Sequence, residues 1–369
     1  MPEIIGIDNI YEEIKKSLDL QKDVLLYAFN ATGKTRLTYF FDNQNFQEDE
    51  EKIYTLCYNA VVEDLFSWDN DNKIFSFDTN NILFRTIKEE GLDIEVINNF
   101  SKLVDFKLEP NINTESGKIN FYIKTGDDNF KENIKISKGE ENLFKWSVFY
   151  TVISHAITLL TEKEENRSLD WFNSLKYCII DDPVSSIDDY RIYTIVVQIL
   201  DLLKIIHEKD IKVSFLIETH HVLFYNLIYN SLKNRKEKKV IYFMEKKDSD
   251  IIITEHKLDF PIAYHLIVLQ QISKSINDGC LQKTHFNMFR SILEKFTVFL
   301  GYNNWQDIFK EFDKEEALSK MINMNSHGKY IELESKQLVS EQEQIFIERF
   351  DFFVKKFNLK IWGEYNGKH

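Results

Sequence analysis

The sequence predicts an α/β head followed by an all-α C-terminal domain, and three observations carry that prediction. First, the apolar run Val24–Tyr27 leads straight into Ala28-Phe29-Asn30-Ala31-Thr32-Gly33-Lys34-Thr35, and Arg36-Leu37-Thr38-Tyr39-Phe40 begins a helix behind it. Second, two buried-strand runs, Lys176–Ile180 and Val213–Ile217, flank a helical stretch around Tyr190–His207. That alternation is the mark of a parallel sheet. Third, beyond Pro261 period-2 alternation vanishes and helical spacing takes over. The boundary is expected near 256–262, with a head over 1–256 and a helical domain over 257–369.

Taken in order, Asp8–Leu20 reads as a helix with Ile10, Ile14 and Leu18 on one face. Residues 42–51 are polar and acidic and read as a surface loop, and Ile53–Tyr58 reads as a strand. Ile119-Asn120-Phe121-Tyr122-Ile123 and Asn133-Ile134-Lys135-Ile136 alternate about Gly126-Asp127-Asp128, which predicts a hairpin. Leu143–Thr161 reads as a long apolar helix. Lys239–Met244 and Ile251–Glu255 form a second expected hairpin about Asp248-Ser249-Asp250. In the tail, helical spacing spans Tyr264–Ile276, Phe286–Phe299 and Glu341–Phe357.

With 369 residues, 43% of them hydrophobic and 14% aromatic, the chain can bury two cores and is not disordered. Its net charge of −14 argues against a general nucleic-acid coat. The charge is unevenly placed. Residues 256–369 hold 15 Lys and Arg against 15 Asp and Glu, so the whole −14 belongs to the head. Contact with nucleic acid would therefore need local patches, such as Lys233, Arg235, Lys236, Lys238 and Lys239, or Arg349, Lys355, Lys356 and Lys360. Cys57, Cys178 and Cys280 are few and far apart, which suggests reduced thiols inside a cell; Cys178 lies in an apolar run as a buried structural thiol. The opening Met1-Pro2-Glu3 has no secretory pattern, and the apolar runs fall short of the roughly 18–20 residues of a membrane span, so a cytoplasmic location is expected.

Strand, glycine-lysine loop and helix are what a P-loop requires. Backbone N–H groups of Asn30, Ala31, Thr32 and Gly33 would wrap phosphate at a helix N-terminus. Lys34 would reach the β- and γ-phosphates and Thr35 would place its hydroxyl on Mg²⁺. Ala28 stands where the pattern usually has its first glycine. Three more segments follow in fixed order: Ser137-Lys138-Gly139-Glu140, then Tyr177–Pro183 with Ser185-Ser186-Ile187-Asp188, then Glu218-Thr219-His220. In order and in residues, this set resembles the head of an ABC-type NTPase, in which nucleotide is sandwiched between two copies. The resemblance implies that Asp181 holds Mg²⁺ and that Asp182, one methylene shorter than the usual glutamate, polarises the attacking water. It implies that His220 contacts the γ-phosphate, though His221 stands beside it, and that Asp188 belongs to the D-loop. Ser137 and Gly139 would cap the γ-phosphate held by a second subunit, which makes the protein a dimer or higher oligomer. No Q-loop glutamine is evident; Asn59 is the weak candidate.

A bare head has no need of a helical tail. Within the tail, Arg290 and Glu294 stand at i, i+4 on one helix face, and His327 follows inside Asn325-Ser326-His327-Gly328. Head and tail together, essentially the whole chain, resemble the PrrC-type anticodon nucleases, which join a compact ABC head to a small helical, HEPN-like ribonuclease domain. The compact Arg-x(4–6)-His pair usual in the wider HEPN group is missing here. The resemblance implies a ribonuclease triad of Arg290, Glu294 and His327. It further implies cleavage in the anticodon loop of a tRNA, tRNA-Lys in particular, with GTP (or ATP) and Mg²⁺ at the head. A type I restriction-modification complex would be the silencing partner, in antiphage defence.

The chemistry is sensible on its own terms. RNA can be cut without metal when its own 2′-OH attacks the adjacent phosphate, provided a base, an acid and a cation are at hand. Histidine titrates near neutrality, glutamate is a second proton carrier, and arginine offers phosphate a planar fork. The plainer reading of Arg290 and Glu294 is a surface helix pair worth about 0.3–0.5 kcal/mol. Two rival functions stand beside the nuclease. One is an NTPase subunit of a defence system whose tail oligomerises or binds an effector. The other is a DNA-end-binding repair NTPase, which the 103 positions between Lys34 and Ser137, with no heptad array, argue against.

Overall fold

A computed structural model of the chain describes residues 4–29, 32–42, 52–58, 66–69, 74–104, 108–124, 130–131, 134–185, 187–232, 238–247, 250–255, 264–310 and 340–359. The chain divides into two compact units, Met1–Pro261 and Ile262–His369. The architecture is an α/β head and a helical C-terminal region.

A seven-stranded sheet forms the centre of the first unit. Its strands are β1 (Ile4–Ile5), β2 (Asp23–Ala28), β3 (Thr55–Tyr58), β9 (Tyr177–Asp181), β10 (Ser214–Thr219), β11 (Lys239–Lys247) and β12 (Asp250–Glu255), in spatial order β1-β12-β11-β2-β10-β9-β3. The run from β11 to β3 is parallel, and β12 and β1 close one edge with antiparallel pairing. The central strands are buried on both faces, which is why Asp23–Ala28, Tyr177–Asp181 and Ser214–Thr219 read as continuous rather than alternating apolar runs.

Helices α1 (Ile7–Asp19) and α2 (Lys34–Asp42) cover one face. There Ile10, Ile14, Leu18, Leu37 and Phe41 pack with Val24, Leu26, Ile179 and Leu216. α5 (Lys138–Leu160) packs on β3 and α7 (Val222–Leu232) packs on β2 and β10, while α6 (Asp189–Lys209) lies against both helices. α5 is long and apolar enough to cross a membrane by length and composition, but 72% of its apolar window is buried inside the head.

A second, five-stranded sheet carries β4 (Phe66–Asp69), β5 (Ile74–Phe77), β6 (Leu108–Asn113), β7 (Lys118–Lys124) and the short β8 (Phe130–Lys131). The expected hairpin about Gly126 is present but short: β7 and β8 pair antiparallel on either side of it, Ile123 with Lys131 and Lys124 with Phe130, so the second strand is Phe130–Lys131 rather than 133–136. The main partner of β7 is β6, and β8 pairs only at the end of β7. The β6–β7 turn is made by Asn113, whose Oδ1 accepts from the N–H groups of Glu115 and Ser116, and by Gly117 at φ 68°, where a Cβ would meet Phe77 O at 3.0 Å. Ile134–Ser137 is not a strand, although Ile134 N–H still donates to Phe121 O. Two helices not foreseen from periodicity, α3 (Ile82–Glu90) and α4 (Asp93–Ser101), lie against α5. Each is only nine residues long, too short for a clear 3.6 period.

The second unit contains α8 (Tyr264–Asn277), α9 (Lys283–Leu300), a 3₁₀ turn (Trp305–Phe309) and α10 (Ser340–Lys356). Its core is aromatic: Phe289 meets Phe346, Phe350 and Phe353, each at 5.5 Å between ring centres. Phe289→Ala should therefore lower the stability of this unit by about 3–5 kcal/mol, read as an earlier denaturant transition of the full chain. An unchanged midpoint would mean that Phe289 does not anchor this core.

Candidate functional site

The strand order puts three loops side by side. β2, β10 and β9 are adjacent and parallel, so the segments leaving their carboxyl ends meet at one edge of the sheet. Ligands bind at such edges in open α/β sheets. β2 leads to the glycine-lysine loop, β9 ends on Asp181-Asp182 and β10 ends on Glu218-Thr219-His220.

Gly33 sits at φ 106°, where L side chains strain, and a Cβ there would come within 3.0 Å of the Ile251 side chain. Thr32 Oγ1 donates to Phe29 O at 2.7 Å and tightens the loop. Asn30 and Ala31 lie outside the described residues. Lys34 opens α2 and is buried. Its Nζ donates to Ala28 O and Phe29 O, both at 3.2 Å, and pairs with Asp182 Oδ2 at 3.2 Å. Thr35 Oγ1 donates to Asp181 Oδ2 at 3.2 Å. The two side chains expected to hold the cation thus touch across 146 positions of sequence.

Asp182 is the junction. Its backbone is left-handed, at φ 45°, a conformation that aspartate tolerates better than most side chains. Its N–H donates to Glu218 O at 2.9 Å. Its carboxylate accepts from the His220 backbone at 2.9 Å and contacts His220 Nδ1 at 2.8 Å. Burial pushes this carboxyl up, but the His220 hydrogen bond and the Lys34 ammonium outweigh burial and hold it below the usual carboxylate range. His221 is placed differently. Its N–H donates to Thr219 Oγ1 at 2.9 Å, and its Nδ1 accepts from Phe224 N–H at 3.4 Å, at the start of α7. Of the two histidines, His220 is the one against Asp182.

Glu218, on the strand that leads to His220, stands out in the structure. It is 0% exposed, it is paired in register with Asp181, and its Oε2 accepts from Thr38 Oγ1 at 3.4 Å. Burial, then the neighbouring Asp181, pushes its carboxyl well above the usual range. The available signal was a glutamate at an inward position of an otherwise apolar strand. Among the described residues, no three His, Cys, Asp or Glu side chains converge into a ready-made metal cage. Thr35 and Asp181 nevertheless supply hard oxygen donors of the kind that bind Mg²⁺ jointly with phosphates.

Ser137 caps α5. Its Oγ accepts from Glu140 N–H at 3.2 Å while Glu140 Oε2 accepts from Ser137 N–H at 2.7 Å, a capping box, and Gly139 follows in the first turn. Asn142, one turn further on, donates to Ser185 O at 3.0 Å and ties this helix to the segment after Asp182. Asp188 caps α6 by accepting from Arg191 N–H at 3.1 Å. Asn59 and Ser186 lie outside the described residues.

In the second unit Arg290 Nε donates to Glu294 Oε1 at 2.8 Å on α9, with the Glu294 side chain half exposed. His327 lies outside the described residues. One basic patch needs correction: Arg349 is 1% exposed and sits over the Phe309 ring at 5.7 Å, so it belongs to the core rather than to a charged face. Lys356 Nζ donates to Ile308 O at 2.9 Å. Lys233, Arg235, Lys236 and Lys360 lie outside the described residues.

Strand-loop-helix, the carboxylate at the end of a neighbouring strand and the parallel order define a P-loop NTPase domain. Residues 80–351 match the AAA domain family. An anticodon nuclease of Escherichia coli is 36% identical over 344 residues, spanning 86% of this chain and 85% of that one. The chain belongs to the PrrC-type anticodon nuclease family. A solved structure, the SmcHead bound to the C-winged helix domain of ScpA, aligns over 47% of this chain and 45% of its own at 14% identity, with a TM-score of 0.29.

Lys34→Ala should abolish nucleotide binding, because it removes the cation closest to the loop. Asp182→Asn should still bind nucleotide but lose about 10²–10⁴-fold in turnover, measured as phosphate release. Wild-type turnover in Asp182→Asn would place the general base elsewhere.

Proposed function

We propose that the chain is an anticodon nuclease whose cut is governed by the nucleotide state of its head. The observation that supports this reading best is the joint presence of a P-loop site and the Arg290–Glu294 contact in a chain that matches an anticodon nuclease over most of both lengths. The substrate proposed is tRNA, tRNA-Lys first, cut in the anticodon loop.

At the head, backbone N–H groups of the 30–33 loop and Lys34 hold the phosphates, and Lys34 exchanges Asp182 for phosphate oxygen. Thr35 and Asp181 hold Mg²⁺, which when bound neutralises charge on the β- and γ-phosphates. Asp182 orients water, with His220 fixing its carboxylate. The contact at 2.8 Å supports that pairing. GTP is the nucleotide proposed, with ATP the alternative. Ser137, Gly139 and Asp188 serve the nucleotide of a second copy. The protein should therefore be at least a dimer with a non-hydrolysable analogue bound. A strict monomer by light scattering at micromolar concentration would overturn this arrangement.

In the tail, Arg290 steadies the phosphate, and Glu294 and His327 move protons during attack by the 2′-OH. The proposed setting is antiphage defence in the cytoplasm, with a type I restriction-modification complex holding the nuclease silent. The alternative function, an NTPase subunit whose tail serves only assembly, makes the opposite forecast for RNA.

Purified protein incubated with total tRNA should yield ends bearing a 2′,3′-cyclic phosphate and a 5′-hydroxyl. A 2′-deoxy sugar at the cut position should block the reaction. His327→Ala should stop cutting and leave nucleotide hydrolysis intact. Full cleavage by His327→Ala, or a 5′-phosphate on the product, would rule out this mechanism.

A further inference from the structure

The face of the central sheet under α1 and α2 is apolar until its carboxyl edge. Leu26, Ile179 and Leu216 point into the core there. With side chains alternating along a strand, Asp181 and Glu218 share that face, two positions beyond Ile179 and Leu216. Two carboxyl groups therefore stand side by side on neighbouring strands at the edge where the phosphate loop begins.

Asp181 is in contact with Thr35 Oγ1. Glu218 touches α2 through Thr38, one turn beyond Thr35, at 3.4 Å by its Oε2. Its other oxygen, Oε1, is buried and has no hydrogen-bond partner. A buried acceptor left without a partner is destabilising, so a carboxyl with an idle oxygen is a costly choice at a core position. The Glu218 side chain also feels Lys34 and Asp182, which places it within the electrostatic reach of the whole phosphate-binding group.

We propose that Glu218 is an outer-sphere positioning residue for the Mg²⁺-nucleotide, its buried Oε1 accepting a hydrogen bond from water carried by the cation that Thr35 and Asp181 hold. Mg²⁺ dehydrates reluctantly and keeps several waters, so a second carboxyl set back from the first is a suitable partner. Partners of this kind typically change metal affinity 10–100-fold. Glu218 would also dock α2, through Thr38, so that Thr35 stays in reach of Asp181. The inference rests on the P-loop reading of the head.

The test measures binding rather than turnover. Full-length wild type, Glu218→Leu and Glu218→Gln are titrated with Mg²⁺ in the presence of mant-GTP and, separately, mant-ATP, and the half-saturating Mg²⁺ is read from fluorescence. Glu218→Leu should raise that concentration about tenfold or more. Its affinity for nucleotide in EDTA should change less than its Mg²⁺ dependence, and its thermal midpoint should stay near that of wild type, which shows the fold intact. Glu218→Gln keeps the shape and an amide oxygen but not the second carboxyl oxygen, and should give a smaller rise in the same direction. If Glu218→Leu fails to fold, Glu218→Gln decides. Wild-type Mg²⁺ dependence in the folded variants would overturn the role given to Glu218 and leave the NTPase reading standing. Wild-type protein that binds neither probe with Mg²⁺ would overturn both.

Discussion

The carboxylate of Asp182 holds the head's chemistry together. It binds Lys34 from the loop after β2 and His220 from the end of β10, and its own backbone is pinned to Glu218 O. Three chain segments far apart in sequence meet at this one side chain. The left-handed backbone at Asp182 is tolerable because polar contacts of its side chain and its backbone determine its position. An amide at this position would fill the same space but would lack the charge that draws both Lys34 and His220 inward.

The parallel strands make that meeting possible. Because β9, β10 and β2 run the same way in adjacent positions, the residues that leave them emerge at one edge. The two apolar faces then bury that edge's lower half, so Lys34, Asp181 and Glu218 sit in a medium where charge acts over longer distances than in water. Helix α5 adds a second link. Its N-terminal turn presents Ser137 and Gly139, and Asn142 one turn later holds the segment following Asp182. A displacement of that helix end would be felt beside the site.

The helical unit is organised on a different principle. Its core is built from phenylalanine rings on α9 and α10, and a polar row remains on α9 with Arg290 and Glu294 in contact. Geometry of this sort is common to ordinary surface helix pairs.

Much of this was legible in the sequence. The strand-loop-helix around Lys34, the strands ending on Asp181 and Thr219, and the long helices of the tail carry strong local signals: apolar runs, a glycine-lysine loop and 3.6-residue spacing. The residue types at the site, a lysine, a threonine, two aspartates and a histidine, were readable because they stand at the ends of strong local patterns, the glycine-lysine loop and the apolar strand runs. Tertiary structure decided what spacing cannot express. It made the second strand of the Gly126 hairpin the short Phe130–Lys131 and gave β7 its longer pairing with β6, since pairing is set by register and turn geometry rather than by proximity in sequence. It separated His220 from His221 by which one faces Asp182. It turned Arg349 from a surface charge into a core side chain. It also revealed Glu218 beside Asp181, because the two residues are 37 positions apart along the chain and become neighbours only when β9 and β10 pair.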